Sequence, residues 1–361
     1  MLGCVLLAPD LRANPSEALR IEKSFETALD RWKLQTRLAQ TPQEAQQAYA
    51  ARPDPARAAR DMWSVIGSSL AEEWTIEPAA WFLRVAAGVL STPEGGGVPK
   101  PAYAVQMAEV RKAVETYHLL SPRLATMCMA LVTTQDPQAI AVLEKIQTRN
   151  PDKKVQGVAA LAGAMLMKRL GDEPEVLRKR LTLLRTAIIE SSDVEVGGVS
   201  VASIAENELY IIRHLSKGAV APNLVGTDSA GRPLSIADLK EEVIMLAFWS
   251  NTDPEAKRFI ELSAETVTRM RGRSFALIGV NHDPLPELRE LEANEIVTWR
   301  NFTDSEKKLA REYRVASWPI VYVLGPDRKI AYSGPPGSFA ELTAQALLNR
   351  KPAAQPSESS R

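Results

Sequence analysis

The residues best placed to do chemistry lie in LAFWSNTDPEAKRF, residues 246–259. An apolar strand runs into Phe248 and Trp249, then a short turn, then a proline-opened helix whose approach reads Asp253, Pro254, Glu255, Ala256. Unpaired N–H groups and the dipole at a helix N-terminus stabilise negative charge, so a thiolate or a carboxylate is what such a place can activate or hold. Only carboxylates are there. Asp253 and Glu255 could serve hydrolysis or proton transfer, but that work needs a histidine or a second acid beside the first, and the sequence places neither next to Asp253. The plainer reading is a cap, either Asp253 ahead of Pro254 or a Thr252–Glu255 capping box, worth about 1 kcal/mol in either form.

The remaining reactive side chains are few. Cys4 and Cys128 are the two cysteines, and they make no metal spacing and no disulfide framework. Cys128 sits in ATMCMALV, where a thiol packs as a small hydrophobe with a raised pKa, and Cys4 is terminal with nothing nearby to activate it. His118, His214 and His282 stand far apart without a short ligand pattern, so no metal site and no cofactor is expected. His282 in VNHDP follows an apolar run and reads as a turn residue with Asp283 and Pro284, although the C-terminal edge of an open sheet is where ligands collect. Arg271 and Arg273 read as a solvated helix end.

The elements that must position these residues fall into two halves. Residues 15–217 read as an all-α helical-hairpin domain: SEALRIEKSFETALDRWKLQTRLA has apolar residues at spacings of three and four and opens on Ser16 as a cap, and further helices follow with prolines between them. STPEGGGVPKPAY, residues 91–103, reads as an exposed loop of low order. No repeat period is sharp enough to name a motif, so a helical repeat and a plain bundle both stand. From residue 218 the pattern changes: a hairpin (NLVGTD, GRPLSI), a buried strand (EEVIMLAFW), a helix, a second buried strand (SFALIGVNH), a helix from 284 to 293, the segment IVTWRNF, a helix SEKKLAREYRV and two closing strands. Strands alternating with helices imply an α/β domain whose sheet contains a parallel pair and is covered on both faces. Residues 350–361 read as a disordered tail, and residues 1–14 as the remnant of a signal segment or a frayed end.

Residues 218–349 resemble the thioredoxin-like domain of the TlpA and ResA type, within the redoxin group that includes the alkyl hydroperoxide reductase and thiol-specific antioxidant (AhpC/TSA) proteins. GAVAPNLVGTDSAGRPLSIADLK is similar to the group's entry segment, VIMLAFWSNTDPEA to its strand and redox turn, ALIGVNHD to its third strand, VTWRNFTD to a following segment of many bacterial members, and YRVASWPIVYVLGPDRKIAY to its cis-proline loop and final hairpin. The resemblance implies a thioredoxin-like fold, with a central mixed sheet and helices on both faces, preceded here by the all-α domain. It puts Asp253 where the nucleophilic cysteine of Cys-x-x-Cys belongs and Ala256 where the resolving one belongs, and no cysteine lies anywhere in residues 218–361. It also implies a cis bond between Trp318 and Pro319 and a peptide groove between Trp249, Asp253 and Trp318.

Lys plus Arg and Asp plus Glu both number 44, so no global field draws in nucleic acid, and no apolar run reaches the roughly 18 residues of a membrane span. The expectation is a redox-degenerate thioredoxin-like protein that holds a protein partner or an extended peptide. The alternative is a thiol-disulfide oxidoreductase or peroxiredoxin-like enzyme using an unconventional thiol. The N-terminal segment leans towards a periplasmic location, with the cytoplasm as the alternative.

Overall fold

The computed structural model describes residues 14–39, 41–93 and 95–350. Cys4, the signal-segment reading of the N-terminus and all but the first residue of the expected tail therefore lie outside the described residues. The chain divides into two compact units, Met1–Glu208 and Leu209–Arg361.

The first unit is helical: α1 (Pro15–Leu38), α2 (Pro42–Ala50), α3 (Pro55–Ile66), α4 (Ile76–Ala86), α5 (Ala104–Ala113), α6 (Ala125–Thr133), α7 (Ala139–Arg149), α8 (Lys153–Met167) and α9 (Pro174–Ser191), followed by α10 (Val201–His214), which runs across the division. Helix starts follow capping chemistry. Asn14 accepts from the Glu17 N–H at 3.1 Å ahead of Pro15, so the cap of α1 is Asn14 and Ser16 lies inside the helix. The side chain with an open N–H partner wins the position, and Pro at the first helical position has no N–H to lose. Asp54 and Asp152 cap α3 and α8 in the same way. The 91–103 stretch is more ordered than expected: Leu90–Ser91 (β1) pairs antiparallel with Lys100–Pro101 (β2), closing the loop as a hairpin. A second small ladder joins β3 (Glu195–Val196) to β4 (Val199–Ser200). Helix α8 is buried nearly all round, packed by α6, α7 and α9, and a Cβ at Gly157 would overlap Ser191, so α9 approaches only because that position has no side chain.

The second unit is built on a five-stranded sheet. The hairpin β5 (Val225–Thr227) and β6 (Pro233–Ser235) forms its own ladder beside β9, and the sheet contains β7 (Val243–Trp249), β8 (Phe275–Asn281), β9 (Arg300–Thr303), β10 (Ile320–Leu324) and β11 (Ile330–Gly334) in the order β11-β10-β7-β8-β9. Strands β7, β8 and β9 are parallel, whereas β10 runs antiparallel to β7 and β11 to β10. All seven residues of β7 are buried, as a central strand covered on both faces requires. Ile244, Leu246 and Phe248 join Tyr313, Tyr322 and Leu234 on one face, and Val243, Met245, Ala247 and Trp249 join Phe259, Ala340 and Ala344 on the other. At about 1.5–3 kcal/mol for each large apolar side chain fully buried, these alternating residues fix the register, because a slip by one residue would exchange the faces.

Helices α11 (Ala256–Arg269), α12 (Leu285–Ala293), α13 (Lys308–Glu312) and α14 (Ser338–Leu348) complete the unit. Through Phe259, Leu288, Ala340 and Ala344, helices α11, α12 and α14 cover one face, and Leu309, Ala310 and Tyr313 in and after α13 cover the other. This is a thioredoxin-like α/β fold with a mixed sheet. Helix α14 is an element the sequence pattern did not announce, and SEKKLAREYRV forms only the five-residue α13, because Lys307 and Arg314 on either side adopt left-handed φ values of 55° and 50°.

Candidate functional site at the ends of the parallel strands

Strands β7 and β8 end side by side, with Trp249 opposite Asn281, and each passes into a polar residue. The hub between them is Asp283. Its buried carboxylate accepts from the Ser250 hydroxyl, from the Asn251 N–H at 2.7 Å and from Asn281 Nδ2 at 2.7 Å, while its own N–H donates to Asn281 Oδ1 at 3.0 Å. Three donors on one carboxylate are what a buried anion needs in place of water. Ser250 also meets the Thr252 hydroxyl at 2.7 Å and accepts from the Thr252 N–H at 3.2 Å, so the turn that leaves β7 is bonded to the turn that leaves β8.

Beyond Thr252 the turn closes on itself. The Asp253 N–H donates to the Ser250 carbonyl at 3.2 Å, and the Asp253 carboxylate accepts from the Glu255 N–H at 2.9 Å. Helix α11 is assigned from Ala256, so Pro254 lies in the turn and Asp253 braces the approach to the helix rather than sitting at its cap. Among the described residues no Thr252–Glu255 capping box forms, since the Thr252 hydroxyl is taken by Ser250. Glu255 is exposed and stands 3.9 Å from Arg258, and the Ala256 methyl is buried in the core below the helix. Neither Asp253 nor Glu255 is joined to an imidazole or to another carboxylate among the described hydrogen bonds and ion pairs, so the geometry supplies no acid–base pair here.

The aromatic residues separate. Trp249 is fully buried, donates Nε1–H to Asn301 Oδ1 at 3.0 Å, and packs on Phe259 and Trp299. Trp318 belongs to the opposite face, against Phe248 at 6.4 Å. Period-two alternation sends Phe248 and Trp249 to opposite faces, so the Trp249 side chain lines no groove with Trp318, contrary to the expectation. The Trp318–Pro319 bond is cis, and Ile320, the next residue, pairs with Phe248 in the sheet. The neighbours Trp318 does have went unrecognised in the sequence. The His282 ring lies 4.3 Å from the indole, and Lys307 Nζ stands 5.7 Å from it. His282 Nδ1 is buried without a hydrogen-bond partner, and burial first, then the Lys307 charge, hold the imidazole pKa below its usual value.

The signal for this cluster was present as polar interruptions. Ser250 and Asn281 end two continuous apolar runs at positions the pattern buries, which demands partners for both. The other histidines serve structure: His118 Nε2 meets the Leu70 carbonyl at 2.7 Å, and His214 packs on Tyr210. Cys128 is fully buried in α6, and its thiol is pushed up to about 12 by desolvation. No group of three or more His, Cys, Asp or Glu side chains among the described residues could hold a metal ion.

Residues 218–333 match the AhpC/TSA family. This AhpC/TSA domain is similar to the thiol-disulfide oxidoreductase ResA of Bacillus subtilis, 21% identical over 117 residues, which are 32% of this chain and 65% of that protein. The match thus spans a little under two thirds of the relative's length. Among solved structures, the chain is similar to the thioredoxin domain of a thiol-disulfide oxidoreductase from Bacteroides vulgatus (22% identity, 37% of this chain, 99% of that one, TM-score 0.34). A thiol:disulfide interchange protein from a Bacteroides species is matched at 22% identity over 38% of this chain and 93% of that one, with a TM-score of 0.34.

Proposed function

We propose that the AhpC/TSA domain is redox-degenerate and works by holding a protein segment at the Trp318–Pro319 loop rather than by exchanging disulfides. The observation that carries this reading is the helix tip itself. Dithiol exchange needs a thiolate to attack and a second thiol to resolve the mixed disulfide, and the turn offers the Asp253 carboxylate, committed to the Glu255 N–H, and the buried Ala256 methyl. The loop supports the binding half of the proposal: a half-buried indole ahead of a cis-proline is a surface on which an extended peptide can pack. Residues 15–217, taken as a separate helical domain, offer a further face to a protein partner.

The second reading is a thiol-disulfide oxidoreductase or peroxiredoxin-like enzyme with a thiol supplied from elsewhere, and what favours it is the activity in the name of the Bacillus subtilis relative. Cys128 is a poor source of that thiol, because a sulfur with no exposure and a pKa near 12 is neither accessible nor ionised at neutral pH. Insulin reduction and peroxide consumption separate the two readings. Background rates from the full chain, unchanged by Cys128→Ser and Cys4→Ser, agree with a binding module. Turnover abolished by either substitution would defeat it.

A further inference from the structure

We infer that the segment held at the Trp318–Pro319 loop is acidic, its carboxylates received by Lys307, Lys308, Arg311 and Arg314 in and beside α13. The inference rests on the peptide-holding reading above and adds the chemistry of the partner. Charge around the loop is unequal: Lys307, Lys308, Arg311 and Arg314 stand against Glu306 and Glu312, and the other nearby carboxylates are committed. Asp253 is tied to the Glu255 N–H, Asp283 to three donors, and Asp304, buried, to the N–H groups of Leu309 at 3.0 Å and Ala310 at 2.8 Å. That last carboxylate also fills the N-terminus of α13, so it is the side-chain cations that are left to receive an anion.

None of the four cations is paired with a carboxylate among the described residues. Lys307 stands over Trp318, Arg311 donates to the Glu306 carbonyl at 2.7 Å, and Arg314 donates to the Arg311 carbonyl at 2.7 Å and lies 4.4 Å from the Tyr210 ring. All four are exposed, and Glu306 and Glu312 are the only acids among residues 305–314. A second observation concerns the backbone. Lys307 and Arg314 occupy left-handed φ values of 55° and 50°, a region that favours glycine, so the chain carries a cation at two positions where its backbone would be easier without a side chain. An extended segment lying along the loop with an apolar side chain on Trp318 would present a carboxylate two residues away on the same face to this group of cations, and an excess of surface charge of one sign selects a partner of the other.

The test uses the full chain and three fluorescein-labelled peptides that repeat Val-Val-X-X, where X is Glu, Gln or Lys, so that each face of an extended peptide carries both residues, read by anisotropy at low and at physiological salt. The expected result is that the Glu peptide binds most tightly and loses affinity as salt rises. Lys307→Gly and Arg314→Gly should each weaken it about three- to tenfold while leaving the Gln peptide unchanged, as surface ion pairs of ordinary strength would. Both glycine variants should keep or raise the thermal midpoint, and Lys307→Gln repeats the binding test with the backbone preference left alone. Trp318→Ala should remove binding of the Glu and Gln peptides alike. Equal binding of the Glu and Gln peptides would overturn the acidic partner and leave the peptide-holding reading standing. Absence of binding by all three would defeat both. A Glu preference untouched by the Lys307 and Arg314 variants, or equal competition by a dT oligonucleotide, would overturn the inference by moving the site or making it a general anion surface.

Discussion

Replacing Asp283 with alanine should loosen the turns after β7 and β8 more than replacing it with asparagine, and the difference follows from the donors the carboxylate serves. Alanine strands the Asn251 N–H and one hydrogen of Asn281 Nδ2, while the Ser250 hydroxyl can rotate to Thr252, already 2.7 Å away. One buried donor left unsatisfied, at about 1–3 kcal/mol, and one hydrogen bond lost at the exposed Asn251 give a loss of about 2 kcal/mol, since water can reach the second. Asparagine can turn its amide oxygen to both nitrogen donors and its NH2 to the Ser250 oxygen, so only the charge assistance is lost, about 1 kcal/mol. Hydrogen exchange of peptides covering residues 243–334 reads this unit separately from the helical one. The alanine variant should exchange roughly thirtyfold faster in the strand ends, and the asparagine variant about fivefold. An asparagine variant as damaged as the alanine one would refute the reasoning, because negative charge rather than acceptor geometry would then hold the turns together.

Gly279→Ala should destabilise the same unit by about 1–3 kcal/mol, since a Cβ there overlaps the Asn301 side chain and crowds Trp249 Nε1, breaking their 3.0 Å hydrogen bond; denaturant unfolding followed by indole fluorescence checks it. His282 has a folded pKa below that of free imidazole, so the unfolded chain takes up the proton first. Its contribution to stability should be complete above about pH 6.5 and be lost as pH falls from there towards the folded pKa. His282→Gln should flatten that slope in urea unfolding, and Lys307→Gln should raise the imidazole pKa in an NMR titration, because the Lys307 charge opposes protonation. In a Cys4→Ser background, Cys128 should resist iodoacetamide in the native protein at about pH 8 and react once denaturant is added, since a thiol pKa of about 12 leaves roughly one molecule in ten thousand ionised.

Much of the second unit was legible because its determinants are local or periodic. The continuous apolar run of β7 reads as a covered strand, and the Asp-Pro-Glu-Ala turn can be read letter by letter as holding no cysteine. The helical character of the first unit was legible for the same reason, apart from a cap displaced from Ser16 to Asn14. The site was harder. Alternation along β7 already implied that Phe248 and Trp249 part company, yet a pair of adjacent aromatics reads as one feature until the two faces exist.

What the amino-acid order determined by itself was the absence of thiols from residues 218–361, the alternation of strands and helices, and the balance of charge over the whole chain. Tertiary structure alone decided which groups meet. Asp283 gathers the Ser250 and Asn251 donors only because parallel pairing sets the end of β7 beside the end of β8, and His282 reaches Trp318 only because β10 enters next to β7. Hydrogen bonds and ring contacts act over a few ångströms, and residues more than 30 positions apart come within that reach only when the sheet order brings them there.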